Sequence, residues 1–117
     1  MKKEIIEEKY KSVLKEAKEE LSSLTKIILK KLNESNDSDE THILLHELSI
    51  SQPIFREDPH NDEMSETISS IWVDGSGKIG FEVDTFESGY DIDIDDIDMD
   101  MILYLIEQLE DVDVDNL

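Results

Sequence analysis

The chain has 117 residues, with 31 acidic against 11 basic side chains, a net charge of −20 and no cysteine. That length suits a single domain. The missing cysteines exclude disulfides and thiolate chemistry, and the acidic balance excludes direct binding of nucleic acid or anionic lipid through a basic face. Ile, Leu, Val and Phe supply 35 residues, 30% of the chain, above the roughly 20% that marks disorder. A small core is therefore expected. No run of roughly 20 apolar residues is present to span a membrane. Lys2 and Lys3 are followed by Glu4, Glu7 and Glu8 rather than by an apolar signal-peptide stretch, so the expected location is cytoplasmic.

The charge is unevenly placed. Residues 1–32 hold nine Lys and six Glu, a net of +3, while residues 33–117 hold two basic and 25 acidic residues, a net of −23. Opposite signs favour docking of the first segment on the rest, but surface pairs are each worth only ~0–1 kcal/mol. The apolar pattern must supply the stability.

Residues 3–32 lack Gly and Pro, carry Glu4, Glu7 and Glu8 at one end and Lys26, Lys30 and Lys31 at the other, and so predict a helix aligned with its own dipole. Asn33 marks its stop. The apolar stripe is Ile6, Tyr10, Val13/Leu14, Ala17, Leu21, Leu24 and Ile28. Glu7 and Lys31 interrupt the coiled-coil seam at either end, short of the three or four heptads a coiled coil needs. An intramolecular helix is favoured over a homodimer formed through this segment.

Residues 33–41 are a polar loop. Residues 42–51 read as a strand with Leu44, His46, Leu48 and Ile50 on one face, although Leu44, Leu45 and Leu48 also fit a short helix. Residues 52–65, with Pro53 and Pro59, read as a loop. Residues 67–74 and 78–85 alternate with period two around Gly75-Ser76-Gly77, a three-residue hairpin loop with Gly at its left-handed position. That loop pairs Val73 with Ile79, Ile71 with Phe81 and Ser69 with Val83 on a buried face, and Trp72 with Gly80 and Ser70 with Glu82 on the other. Gly89 to Asp95 is the next strand, placing Tyr90, Ile92 and Ile94 inward opposite Val83, Phe81 and Ile79. Asp91, Asp93 and Asp95 then point outward, with Glu82 facing Asp91 and Gly80 facing Asp93. Asp96 or Asp98 caps a second helix running to about Glu110, and residues 111–117 form a frayed tail. The order α-β-β-β-β-α predicts an α+β domain: an antiparallel four-stranded meander with both helices on one face and the other open to water.

Motifs for chemistry are weak. Asp74-Gly-Ser-Gly-Lys aligns with the middle of an EF-hand, but Trp72 and Val83 stand where the first and last carboxylates belong. The run Asp91 to Asp100 fails the same test, with Asp96 in the glycine position and Ile102 in the last. His42 and His46 match no zinc spacing. The helix that a phosphate loop requires after Lys78 is a strand, and no serine sits in a nucleophile elbow. The expectation is a non-enzymatic protein with no cofactor and no metal. Trp72, the only tryptophan, covers the bare backbone of Gly80 across the strand and doubles as an interface anchor.

The functional expectation is an interaction module whose outer sheet face, formed by Glu47, Ser70, Trp72, Glu82, Asp84, Asp91, Asp93 and Asp95, binds a basic protein surface. Its sharper form is a nucleic-acid mimic that inhibits a nuclease or DNA-binding protein, since carboxylates on alternate strand residues recur every ~6.7 Å. A weak divalent-cation-binding protein using Asp91 to Asp100 is the remaining alternative.

Overall fold

The computed structural model describes residues 2–61 and 64–117; Asp62 and Glu63, within the segment expected as a loop, lie outside it. Helix α1 runs from Lys2 to Asn36, 35 residues. At 1.5 Å per residue this is about 52 Å, nearly the whole 54 Å long axis of the molecule. The body is too short to cover it. Residues 2–13 are exposed throughout, with Ile6 at 65% and Tyr10 at 53%, so the stripe is buried only from Leu14 onward. Beyond that point Ala17, Leu21, Thr25, Ile28 and Leu29 face the core. Thr25 is tolerated there because its hydroxyl donates to the Leu21 carbonyl at 2.7 Å, leaving no unpaired polar atom.

Asn33 does not end α1. The helix continues one more turn to Asn36 and stops where Asp37 takes a φ of 49°. The Ser38 N–H then returns to the Asn33 carbonyl at 3.0 Å, the closing bond of a Schellman motif. Asn33 still shapes the exit, since its side-chain oxygen accepts from Ser38 Oγ and from the Glu40 N–H, both at 2.9 Å.

Five strands follow: β1 (His42–Leu44), β2 (Ile54–Arg56), β3 (Glu66–Val73), β4 (Ile79–Asp84) and β5 (Gly89–Asp93). The sheet is antiparallel in the order β1-β3-β4-β5, with β2 also paired to β3. Because β4 takes the whole length of β3, β1 and β2 share its other edge, opposite Ser70–Trp72 and Glu66–Thr67 respectively. The α+β class and both helices are as expected, and the sheet gains a strand from the segment expected as a loop. Residues 42–51 are not one strand. β1 lasts three residues and gives way to a 3₁₀ turn, Leu45–Leu48, ended by Ser49 at φ 60°. Ile43 and Leu45 are buried in place of Leu44 and His46, so the inward set is the opposite of the one expected there, while Ile50 is buried as expected.

The hairpin register holds at Val73–Ile79, Ile71–Phe81 and Trp72–Gly80, with Gly77 at φ 87°. It then shifts. Ile68, not Ser69, pairs with Val83, and Ser69 is the extra residue of a β-bulge. The bulge lets Ile68 and Ile71, three apart, both reach the core where strict alternation would bury Ser69 alone. β4 and β5 pair as expected from Gly80–Asp93 to Val83–Tyr90. Pairing stops there, because Ile94–Asp96 turn into a 3₁₀ segment instead of extending β5.

Asp98 caps α2 (Met99–Glu110), its carboxylate accepting from the Met101 N–H at 2.9 Å. Ile102, Leu105, Ile106 and Leu109 bury against α1 and the sheet. Within residues 111–117 a last 3₁₀ turn runs from Val114 to Asn116. Val112, Val114 and Leu117 pack on the core, and Ser35 Oγ donates to the Leu117 carbonyl at 2.5 Å. Among the described residues no helix is long and apolar enough to cross a membrane.

Candidate interaction face

Strand registers set which side chains share the outer face. One row across the strands reads His42, Trp72, Gly80, Asp93; the next reads Leu44, Ser70, Glu82, Asp91; a third brings Thr67, Asp84 and Gly89 together. The face is thus divided. Its β4–β5 half holds four carboxylates, and its β1–β3 half holds an imidazole, an indole and a leucine.

Within the acidic half Glu82 stands directly opposite Asp91, an arrangement of like charges that costs a few tenths to about 1 kcal/mol. Ser70, fully buried, donates its hydroxyl to Glu82 Oε2 at 3.3 Å. Among the described residues the side chains of Asp84 and Asp91 make neither a hydrogen bond nor an ion pair. A Cβ on Gly89 would press on the Val83 carbonyl oxygen at 3.1 Å and would meet Glu82 Oε1 and Asp84 Oδ1 at ordinary contact distances of 3.5 and 3.8 Å. The cation on this side is Lys78, whose ammonium donates to Asp93 Oδ2 at 2.9 Å; that contact holds the lysine above its ordinary value of 10.5. In the turn before it, Asp74 is held below 3.8, chiefly by the Ser76 hydroxyl and then by the Lys78 N–H.

Trp72 behaves as its position predicts. A Cβ added to Gly80 would sit 2.0 to 2.5 Å from three atoms of the indole, so the ring rests on the glycine backbone. Trp72 Nε1 and Asp93 Oδ1 are both shielded from solvent without a hydrogen-bond partner among the described residues. Two hollows open on this half of the face, the first beside the ring. One, about 280 Å³, is lined by Thr41, His42, Trp72, Val73, Asp74 and Asp91. The other, about 540 Å³, lies between β1, the end of α1 and Glu82, and it is here that Glu47 joins the face.

Of the eight residues singled out from sequence, Ser70, Trp72, Glu82, Asp84, Asp91 and Asp93 lie on this face, and Glu47 rims it from the 3₁₀ turn. Asp95 does not. The turn at Ile94 carries it to the helix side, where Lys18 of α1 donates to its Oδ1 at 2.7 Å and holds its carboxyl below 3.8. His42 and Leu44 also belong to the face, although nothing in the sequence reading puts them there; the signal for them is Ile43 and Leu45, two apart and both buried.

The acid run after Asp91 is dispersed in the same way. Asp96 accepts from the Asp93 N–H at 2.9 Å and Asp98 caps α2, so these carboxylates serve the backbone rather than a common centre. Among the described residues no three His, Asp or Glu side chains come together in a way that would hold a metal ion. Comparison with protein-family models, curated proteins and solved structures returned no match.

Proposed function

We propose that the chain is a non-enzymatic interaction module whose acidic outer sheet face binds a positively charged surface of a partner protein. One observation carries this reading. Glu82, Asp84 and Asp91 crowd two neighbouring strands, with Glu82 facing Asp91 and, among the described residues, no cation paired with any of the three. The fold tolerates a local repulsion that a basic partner would convert into attraction. Trp72, beside the carboxylates and partly open, supplies the apolar anchor that charged rims lack.

The test is capture from a cell lysate on immobilised protein, at low salt and at about 0.5 M, where exposed charges are screened beyond a few ångströms. The expected catch is basic, is lost at high salt, and is lost at low salt with Asp84→Asn combined with Asp91→Asn. Partners retained equally by wild type and variant at both salts would overturn the proposal. Displacement of the captured partner by duplex DNA would mark the sharper form of the reading, in which the face stands in for nucleic acid.

A further inference from the structure

The sheet ends on β5, and one side of that strand is open from Gly89 to Ile92; at its end the Asp93 N–H is already held by Asp96 Oδ2 at 2.9 Å. Among the described residues β5 pairs with β4 alone. In an antiparallel pair alternate residues send their N–H and C=O groups to the neighbour, and the others send theirs outward. The opposite border of the sheet is divided between β1 and β2, three residues each. β5, with five residues, is the longer continuous edge.

Its two sides differ. Asp91 and Asp93 stand on the outer face, while Tyr90 and Ile92 stand on the helix side opposite Val83 and Phe81. Ile92 is partly buried against the core. The Tyr90 ring is 36% exposed and is tied down by its hydroxyl, which donates to Glu66 Oε2 at 2.8 Å. A strand laid beside β5 would therefore set alternate side chains next to two aspartates and the intervening ones next to a tyrosine and an isoleucine.

We propose that the β5 edge takes up, by strand addition, an extended segment of the basic partner in which Lys or Arg alternate with apolar residues; this rests on the reading of the outer face given above. Charge selects that occupant over a second copy of the chain. Two β5 edges brought together would set aspartates against aspartates between bodies that each carry a net charge of −20, the arrangement by which exposed edges avoid self-pairing. A basic strand reverses the sign of the same contacts. Lys78 does so within the molecule, reaching Asp93 at 2.9 Å. Backbone bonds would supply affinity, and the alternation would supply register.

The test uses a set of capped heptapeptides on the isotopically labelled protein, followed by NMR. The first alternates Lys and Val, beginning and ending on Lys. The second has the same composition with the three Val in one block. The third is the alternating peptide N-methylated either at every Val or at every Lys. The alternating peptide is expected to bind more tightly than the blocked one and to slow hydrogen exchange at outward-facing amides within Gly89–Ile92, since the Asp93 N–H is already bonded to Asp96. One of the two methylated forms should lose that protection. Asp91→Lys should weaken the alternating peptide by more than Asp91→Asn, for which about a two- to fivefold loss is expected from one cross-strand pair. An alternating peptide with Glu in place of one of its two inner Lys should recover binding to Asp91→Lys. Equal binding of alternating and blocked peptides, indifferent to N-methylation, would overturn strand addition while leaving the acidic face as the binding surface. No shift at any outer-face resonance with any peptide at low salt would overturn both.

Discussion

Gly80 is the position at which the packing of the outer face can be measured most sharply. Its φ is not positive, unlike that of Gly77, so alanine fits the backbone, and replacing glycine in a strand should by itself stabilise by about 0.5–1 kcal/mol. The obstacle is Trp72. The new Cβ would meet Cζ2, Cη2 and Cε2 at 2.0, 2.3 and 2.5 Å, far inside the ~3.5–4 Å of carbon contact. The ring must leave the glycine, and overpacking of this kind costs about 1–3 kcal/mol. The net expectation for Gly80→Ala is a loss of about 0.5–2 kcal/mol. For this length that lowers Tm by about 2–8 °C. With Trp72→Ala already present the clash is gone, and the same substitution should raise Tm by about 2–4 °C. Urea and thermal unfolding of the four proteins of the cycle give the coupling directly. A Gly80→Ala effect that is the same with and without Trp72 would refute the placement of the ring on the glycine.

Two carboxylates should show opposite pH signatures. Lys18 lowers the Asp95 value below 3.8, so that contact stabilises the fold above about pH 4 and is lost as pH falls through the folded value; Asp95→Asn should lower Tm near neutrality and by progressively less in acid. Glu110 is raised above 4.5, chiefly by a carboxyl hydrogen bond with Glu20 of α1, so it weakens the fold as pH rises past about 4.5. Glu110→Gln should raise Tm near pH 7 and lose that advantage near about pH 4; two variants whose effects follow pH in the same direction would contradict both assignments. Along α1, Leu21→Ala should cost about 2–5 kcal/mol, because Leu21 is fully buried, whereas Tyr10→Ala should stay within about 0.5 kcal/mol. Comparable losses in urea unfolding would mean that the first turns of α1 pack against something.

Periodicity made the β3–β4–β5 core of the sheet readable, because Ile79, Phe81 and Val83 alternate without interruption and Gly77 allows one loop geometry. What escaped is what depends on partners distant in sequence. β2 is three residues after Pro53 and has no periodicity of its own; it exists because Ile54 and Arg56 find Thr67 and Glu66. The bulge at Ser69 was written in the three-residue spacing of Ile68 and Ile71, a departure from period two that strict alternation hides. Burial of α1 was overestimated toward Lys2, since a stripe states which side is apolar and not how far the body extends to meet it. Asp95 continues the Asp91–Asp93 alternation in sequence but not in space, because the turn at Ile94 breaks the strand. The outer face was legible wherever strands are regular, and it failed at Asp95 and at His42 and Leu44, where a strand gives way to 3₁₀ geometry.

The central claim is that the carboxylates of β4 and β5 steer a basic partner onto the outer face. The most direct measurement is the association rate of the captured partner with wild type and with Asp84→Asn plus Asp91→Asn, by surface-based or stopped-flow kinetics across a range of salt. The variant should associate more slowly, with a flatter salt dependence and a dissociation rate changed far less. Fold stability should be unchanged or slightly higher, because one member of the Glu82–Asp91 repulsion is gone. An association rate identical to wild type at every salt concentration, with the fold intact, would contradict the claim and leave the acidic strands as a solvated surface.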